Sequence, residues 1–251
     1  MELAATLVFP FFLVFCRLGA ALLVFPALSD DAVPARLRLL AAVAAAAVMV
    51  PLLTPTLPTL PGTTGELALL VFAELVMGLL LGLGARLFLA ALSLAGELIA
   101  FAAGLQAATL FDPGSNANSG APTVFLTLTG GMLILALNLH HDLIRAVAAS
   151  YASFPAGQLP PVADVTAAVV QIFAEFSALG LQLAAPVVVA GLLTTALFGL
   201  LNRLIPQLQV FFVSVPLTVI LALIMLAAAL PLMLQVWGGV VSERFSVLQT
   251  Q

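Results

Sequence analysis

No lysine occurs anywhere in this chain, and its charged residues make up 7% of its 251 positions. A soluble domain carries roughly a quarter charged residues. Too few charges remain here to clothe a folded chain in water. The hydrophobic fraction, 63%, must therefore face lipid, partner proteins or both. A soluble enzyme is excluded on these grounds.

The few charges exclude other classes as well. The formal net charge is -4. Every fixed positive charge is an arginine: Arg17, Arg36, Arg38, Arg86, Arg145, Arg203 and Arg244. They form no basic stripe, so nucleic acid is not an expected partner, and no polybasic lipid-binding segment is present. They do not segregate between loops either, so charge assigns no orientation. Cys16 is the only cysteine, which rules out an intrachain disulfide; within an apolar run it behaves as a small hydrophobe. The opening Met1-Glu2-Leu3 lacks the positive region of a secretory signal, so the first apolar run reads as a retained helix.

Six apolar runs follow one another, at about 3–28, 36–53, 66–110, 122–139, 165–201 and 210–237. A helix needs about 20 apolar residues to cross a bilayer, and several runs qualify. The third and fifth are long enough to be bent, tilted or split. The breaks are short and polar or proline-rich. Ser29-Asp30-Asp31 leads to Pro34, a turn and then a helix start. Pro55, Pro58, Pro61 and Gly62 mark a connector, as do Pro155, Gly157, Pro160 and Pro161. The segment after Trp237 turns polar and is expected to be exposed. Pro26, Pro186, Pro216 and Pro231 fall inside apolar runs, where proline removes a donor and kinks a helix. In lipid the freed carbonyls need protein or water partners, which suggests helices packed in an assembly. The expected fold is an all-α integral membrane protein.

Small residues recur at helical spacing: Gly78 with Gly82, then Gly96, Ala100, Gly104 and Ala108. Such stripes allow close helix approach, either within the chain or against another subunit.

Charges within or beside the apolar runs are the first candidates for a role: Arg17, Glu74, Arg86, Glu97 and Glu175. A charge at the bilayer centre costs at least ~2.5 kcal/mol, so each should pair, face a wet cavity or bind a partner. Arg86 and Glu97 share one face of a continuous helix but stand three turns apart, too far for a direct ion pair. Two readings are open, pairing across helices or contact with a conducting path. His140, His141 and Asp142 make a poor chelate, because adjacent helical residues point about 100° apart. Ser150 has no evident base, and no catalytic motif is present. No cofactor is expected.

The segment DPGSNANSGAP, from Asp112 to Pro122, has almost no side-chain bulk. It follows Gln106 and Leu110-Phe111 and includes Asn116 and Asn118. One reading is an exposed turn. The other is a movable stopper in a pore, mobile through its small polar residues and closed by Leu110 and Phe111.

Five segments carry a resemblance to a known family: Phe15–Ser29, Val33–Ala46, Ala95–Pro113, His140–Gly157 and Leu183–Leu217. In order and spacing the chain resembles the FliR family of type III secretion export apparatus proteins, over nearly its whole length. The resemblance implies a channel-forming, non-enzymatic subunit of the flagellar export gate in the bacterial inner membrane, at the flagellar basal body. FliP-like and FliQ-like subunits would assemble with it. FlhB-like and FlhA-like export components would be further partners, and unfolded exported proteins would pass through. It also implies a FliP-like part over 1–158 and a FliQ-like helical hairpin over 159–240, ahead of a polar tail over 241–251. Gln106–Pro122 would then supply this chain's share of a plug, with Phe111, Asp112 and Pro113 as the matched positions. Arg17, Glu97, Arg203, Pro206 and Gln207 would organise the assembly. Departures from the family pattern at Leu139, Gln209, Ser214 and Thr218 loosen the match around the last hairpin turn. An injectisome homologue is the near alternative. A stand-alone small-solute transporter would need inverted repeats or a midplane polar cluster, and neither is evident.

Overall fold

A computed structural model describes residues 2–26, 33–105, 120–158, 160–205 and 210–250. All regular structure among these residues is helical. The helices are α1 (Glu2–Val24), α2 (Ala35–Leu53), α3 (Thr64–Ala102), α4 (Ala121–Ala136), α5 (Leu139–Ser153), α6 (Val162–Leu204) and α7 (Val210–Thr250), with a single 3₁₀ turn at Thr54–Thr56 after α2. The fifth apolar run is one helix of 43 residues, and a single helix of 39 residues covers the third as far as Ala102. The fourth run is divided instead. Asn138, with φ 57°, is a left-handed residue, a conformation that asparagine tolerates better than most side chains. It ends α4 and starts α5, and the two helices meet at a 67° bend. The last helix continues past Trp237 to Thr250.

Local chemistry explains several helix ends. Thr63 accepts a hydrogen bond from the Glu66 backbone N–H at 3.3 Å, and Glu66 sits in the first turn of α3, a capping arrangement that also suits the helix dipole. Asp164 occupies the first turn of α6 and Arg203 its last, each with the charge that the dipole favours. Pro26, expected within a run, falls just beyond the end of α1. Pro186, Pro216 and Pro231 lie inside α6 and α7, together with Pro10 in α1 and Pro51 in α2.

Four helical stretches are long and apolar enough to cross a membrane: Ala35–Thr56, Thr64–Ala102, Val162–Leu204 and Ser214–Arg244. The α4–α5 pair meets the same test when taken together. The helices fit a multi-pass membrane protein.

The chain divides into two compact units. The first comprises Met1–Phe88, Gly131–Phe173 and Val240–Gln251. In it α1 packs on α2, and both touch α5. Its core holds Leu13, Val14 and Leu18 of α1, Phe25 just beyond it, Met49 of α2, Met77 of α3 and Leu143 and Val147 of α5. Gly78 and Gly82 of α3 lie against the α1 backbone. A Cβ at Gly78 would overlap the Arg17 carbonyl oxygen and stand 2.8 Å from the Ala20 Cβ, and one at Gly82 would strike Ala21. The small-residue pair therefore serves packing within the chain.

The second unit comprises Leu89–Gly130 and Ala174–Gly239. Here α3 is flanked on two sides. Gly96 faces the Thr123 backbone, Ala100 faces Gly120, and Leu89 and Leu92 face Gly130; all of these partners belong to α4 or its first approach. Ala91 and Leu94 face Gly180, and Ala102 faces Gly191, both on α6. At 100° per residue the two sets fall on opposite sides of α3. Missing side chains at both contacts let the three backbones close together.

Candidate functional site

In the first unit α1, α3 and α5 bring Arg17, Glu74, Ser150 and Tyr151 together. Each element has a reason to present them. The opposite face of α3 from its exposed leucines carries Ala73, Glu74, Met77 and Gly78, all buried. The buried stripe of α5 runs Leu139, Leu143, Ala146, Val147 and Tyr151, while His141 and Arg145 point outward. Close approach at Gly78 sets α1 beside α3 at the level of Arg17.

Arg17 and Glu74 are fully buried, at 0% exposure. The guanidinium grips the carboxylate side-on: Nε donates to Oε2 at 2.8 Å and Nη2 to Oε1 at 3.0 Å. Nη1 donates to Ser150 Oγ at 2.9 Å, and both Nη atoms reach the Phe154 carbonyl at 3.2 Å. All five guanidinium N–H groups thus have acceptors. Glu74 is equally full. The Tyr151 hydroxyl donates to Oε2 at 2.8 Å and the Gly157 N–H to Oε1 at 3.1 Å. The guanidinium also lies 3.8 Å over the Tyr151 ring, a cation–π contact strengthened by burial.

Gly157 completes the cluster because of its backbone. Its φ is +82°, and a Cβ there would overlap Leu70. Only glycine holds this conformation at little cost, and it aims the N–H at Glu74. The Ser150 hydroxyl donates to the Val147 carbonyl at 2.7 Å while its oxygen accepts from Arg17. Ser150 is thus part of the clamp, with its proton engaged by the backbone. Tyr151→Phe removes one bond to a buried carboxylate and should cost about 1.5–3 kcal/mol. Thermal unfolding in detergent would read this as a lowered Tm with retained helical content, and an unchanged Tm would contradict the network as described.

The other charges behave differently. Arg86 is exposed on α3 and makes no ion pair among the described residues. Glu97 and Glu175 are half-buried, and each has an interaction within the chain. Arg203 is exposed at the last turn of α6. The exposed Arg145–Asp142 pair, at 3.0 Å, spans one helical turn and contributes little. The rings of His140 and His141 lie tilted at 39° to each other, 4.1 Å between centroids. Among the described residues no three His, Cys, Asp or Glu side chains converge as metal ligands. Gln106, Leu110, Phe111, Asp112, Pro113, Asn116 and Asn118 lie outside the described residues, as do Pro206 and Gln207.

Residues 8–244 match the profile of the family described as bacterial export proteins, family 1. The chain belongs to the FliR family of bacterial export proteins. The flagellar biosynthetic protein FliR of Caulobacter vibrioides is 40% identical over 225 residues, covering 90% of each chain. The protein of the same name from Aquifex aeolicus is 30% identical over 99% of this chain and 94% of its own. That of Escherichia coli is 29% identical over 92% and 88%. Membership in the FliR family places the chain in the flagellar export apparatus. It also gives the buried clamp its setting, a helical export component.

Proposed function

We propose that this chain is a channel-forming structural subunit of the flagellar type III protein export gate. It assembles with FliP-like and FliQ-like subunits in the bacterial inner membrane and passes unfolded flagellar proteins, with FlhB-like and FlhA-like components as further partners. The observation that carries this reading is the state of the two longest helices. Only 22% of the most apolar window of α6 and 17% of that of α7 are buried within the chain. Leu192, Leu193, Leu197 and Leu200 of α6 and Ile220, Leu223, Ile224 and Leu232 of α7 are exposed. Their kink-forming prolines favour helix neighbours over plain lipid as the cover. Such a long antiparallel-capable pair supports a FliQ-like hairpin over 159–240, following a FliP-like part over 1–158 and ahead of a polar tail over 241–251.

A non-enzymatic role agrees with the clamp, where every polar atom of Arg17 and Glu74 is already bonded and none is left for a substrate. In this reading residues 106–122 contribute to the plug through Phe111, Asp112 and Pro113. Arg203, Pro206, Gln207 and Glu97 help organise the assembly.

The test is co-purification of the C-terminally tagged chain from gently solubilised native membranes. A stable complex with FliP-like and FliQ-like proteins is expected. A lone or homo-oligomeric chain, recovered from cells that contain those partners, would overturn the reading.

A further inference from the structure

A face of α3 flanking its contact with α1 carries Phe72, Leu75, Leu79, Leu83 and Arg86 at intervals of three and four residues. All but the half-buried Leu83 are exposed. At its middle lies an apolar groove of about 330 Å³, lined by Val24 of α1 and by Val76, Leu79, Leu80 and Leu83. Arg86 follows Leu83 by one helical turn on the same face. Among the described residues it makes no ion pair and no side-chain hydrogen bond.

This arrangement is unlike that of Arg17, which is saturated inside the same unit. A guanidinium has five donors and stays charged at any physiological pH. Set on an apolar stripe of a helix able to cross a membrane, it would be satisfied by an anionic acceptor from outside the chain. The stripe beside it fits a helix better than a flexible tail, because its repeat matches the ridges of a second helix.

We propose that this face binds a membrane-embedded helix of another subunit, which seats an apolar side chain in the groove and presents an Asp or Glu carboxylate to Arg86. The charge complementarity fixes the register of that helix, as intramembrane pairs do when apolar contact alone does not discriminate. The inference deepens the gate reading by giving the partner a chemistry, and it rests on that reading for the existence of a partner subunit.

The experiment places a photo-crosslinking side chain at Leu83 in the full chain, in native membranes, and maps the adduct to a residue by mass spectrometry. An adduct within one helical turn of an Asp or Glu in a membrane-embedded helix is expected. Arg86→Glu should lower its yield about fivefold or more, the size of a strong intramembrane polar contact. Reversal of that carboxylate to Arg should restore it, whereas Arg86→Lys should retain most of it. The restored yield also shows that Arg86→Glu folds. An adduct to lipid alone, to a segment without a carboxylate, or one insensitive to Arg86→Glu would overturn the proposal. An adduct to an acidic helix of a protein unlike FliP or FliQ would uphold the docking face and count against the gate reading instead.

Discussion

Arg17→Ala and Glu74→Ala, introduced singly, should each strip most of the folded chain from membranes. Each leaves a buried charge facing the remains of a site built for its partner, and breaking a buried pair in this way costs about 3–5 kcal/mol. The orphaned Glu74 would keep only the hydrogen bonds from Tyr151 and Gly157, and the orphaned Arg17 those to Ser150 and Phe154 with the Tyr151 ring beneath it. Immunoblotting of membranes with limited proteolysis measures the loss. The double variant Arg17→Met/Glu74→Leu removes both charges and fills similar volume, so it should retain more folded chain than either single variant. Singles that accumulate with normal protease resistance would refute the clamp as a stabilising element. Arg17→Lys should resemble Arg17→Ala more than wild type, because a single ammonium cannot reproduce the side-on grip and reach Phe154 as well.

Gly78→Leu should be comparably severe for a steric reason. Even a Cβ at this position overlaps the Arg17 carbonyl oxygen, and backbone cannot move aside as a side-chain tip can. Overpacking costs about 1–3 kcal/mol where side chains yield, and the rigid contact here puts the expected loss at or above the top of that range. The variant also displaces Arg17 from Glu74, so its effect and that of Glu74→Ala should be less than additive. By contrast, Gly199→Leu meets open space within the chain and should leave the isolated protein's stability unchanged. Equal loss at the two positions would show that the Gly78 contact is not what holds α1 to α3.

Much of this architecture is legible in the sequence, because apolar run length and proline breaks report membrane helices directly. The small-residue stripe at Gly78 and Gly82 is readable as a close contact, though spacing alone does not say with which helix. Arg17 and Glu74 stand out as charges in apolar runs, but they are 57 residues apart, and nothing local pairs them. Tyr151 escapes a sequence reading because its segment resembles an interfacial end; its standing as the sole tyrosine is the signal that was present. Gly157 looks like an ordinary connector residue, since a left-handed φ leaves no mark on composition. The bend at Asn138 is hidden for a related reason: Leu137-Asn138-Leu139 interrupts an apolar run with one polar residue, which a continuous helix could equally carry. Arg86 makes no ion pair among the described residues, and its sequence leaves both pairing across helices and contact with a conducting path open.

The full saturation of the Arg17–Glu74 clamp has an electrical consequence. A membrane potential acts on a lone charge with about 2.3 kcal/mol per 100 mV. On a guanidinium and carboxylate that move as one body the two forces cancel. Voltage across a bilayer therefore exerts no net force on this joint between α1, α3 and α5.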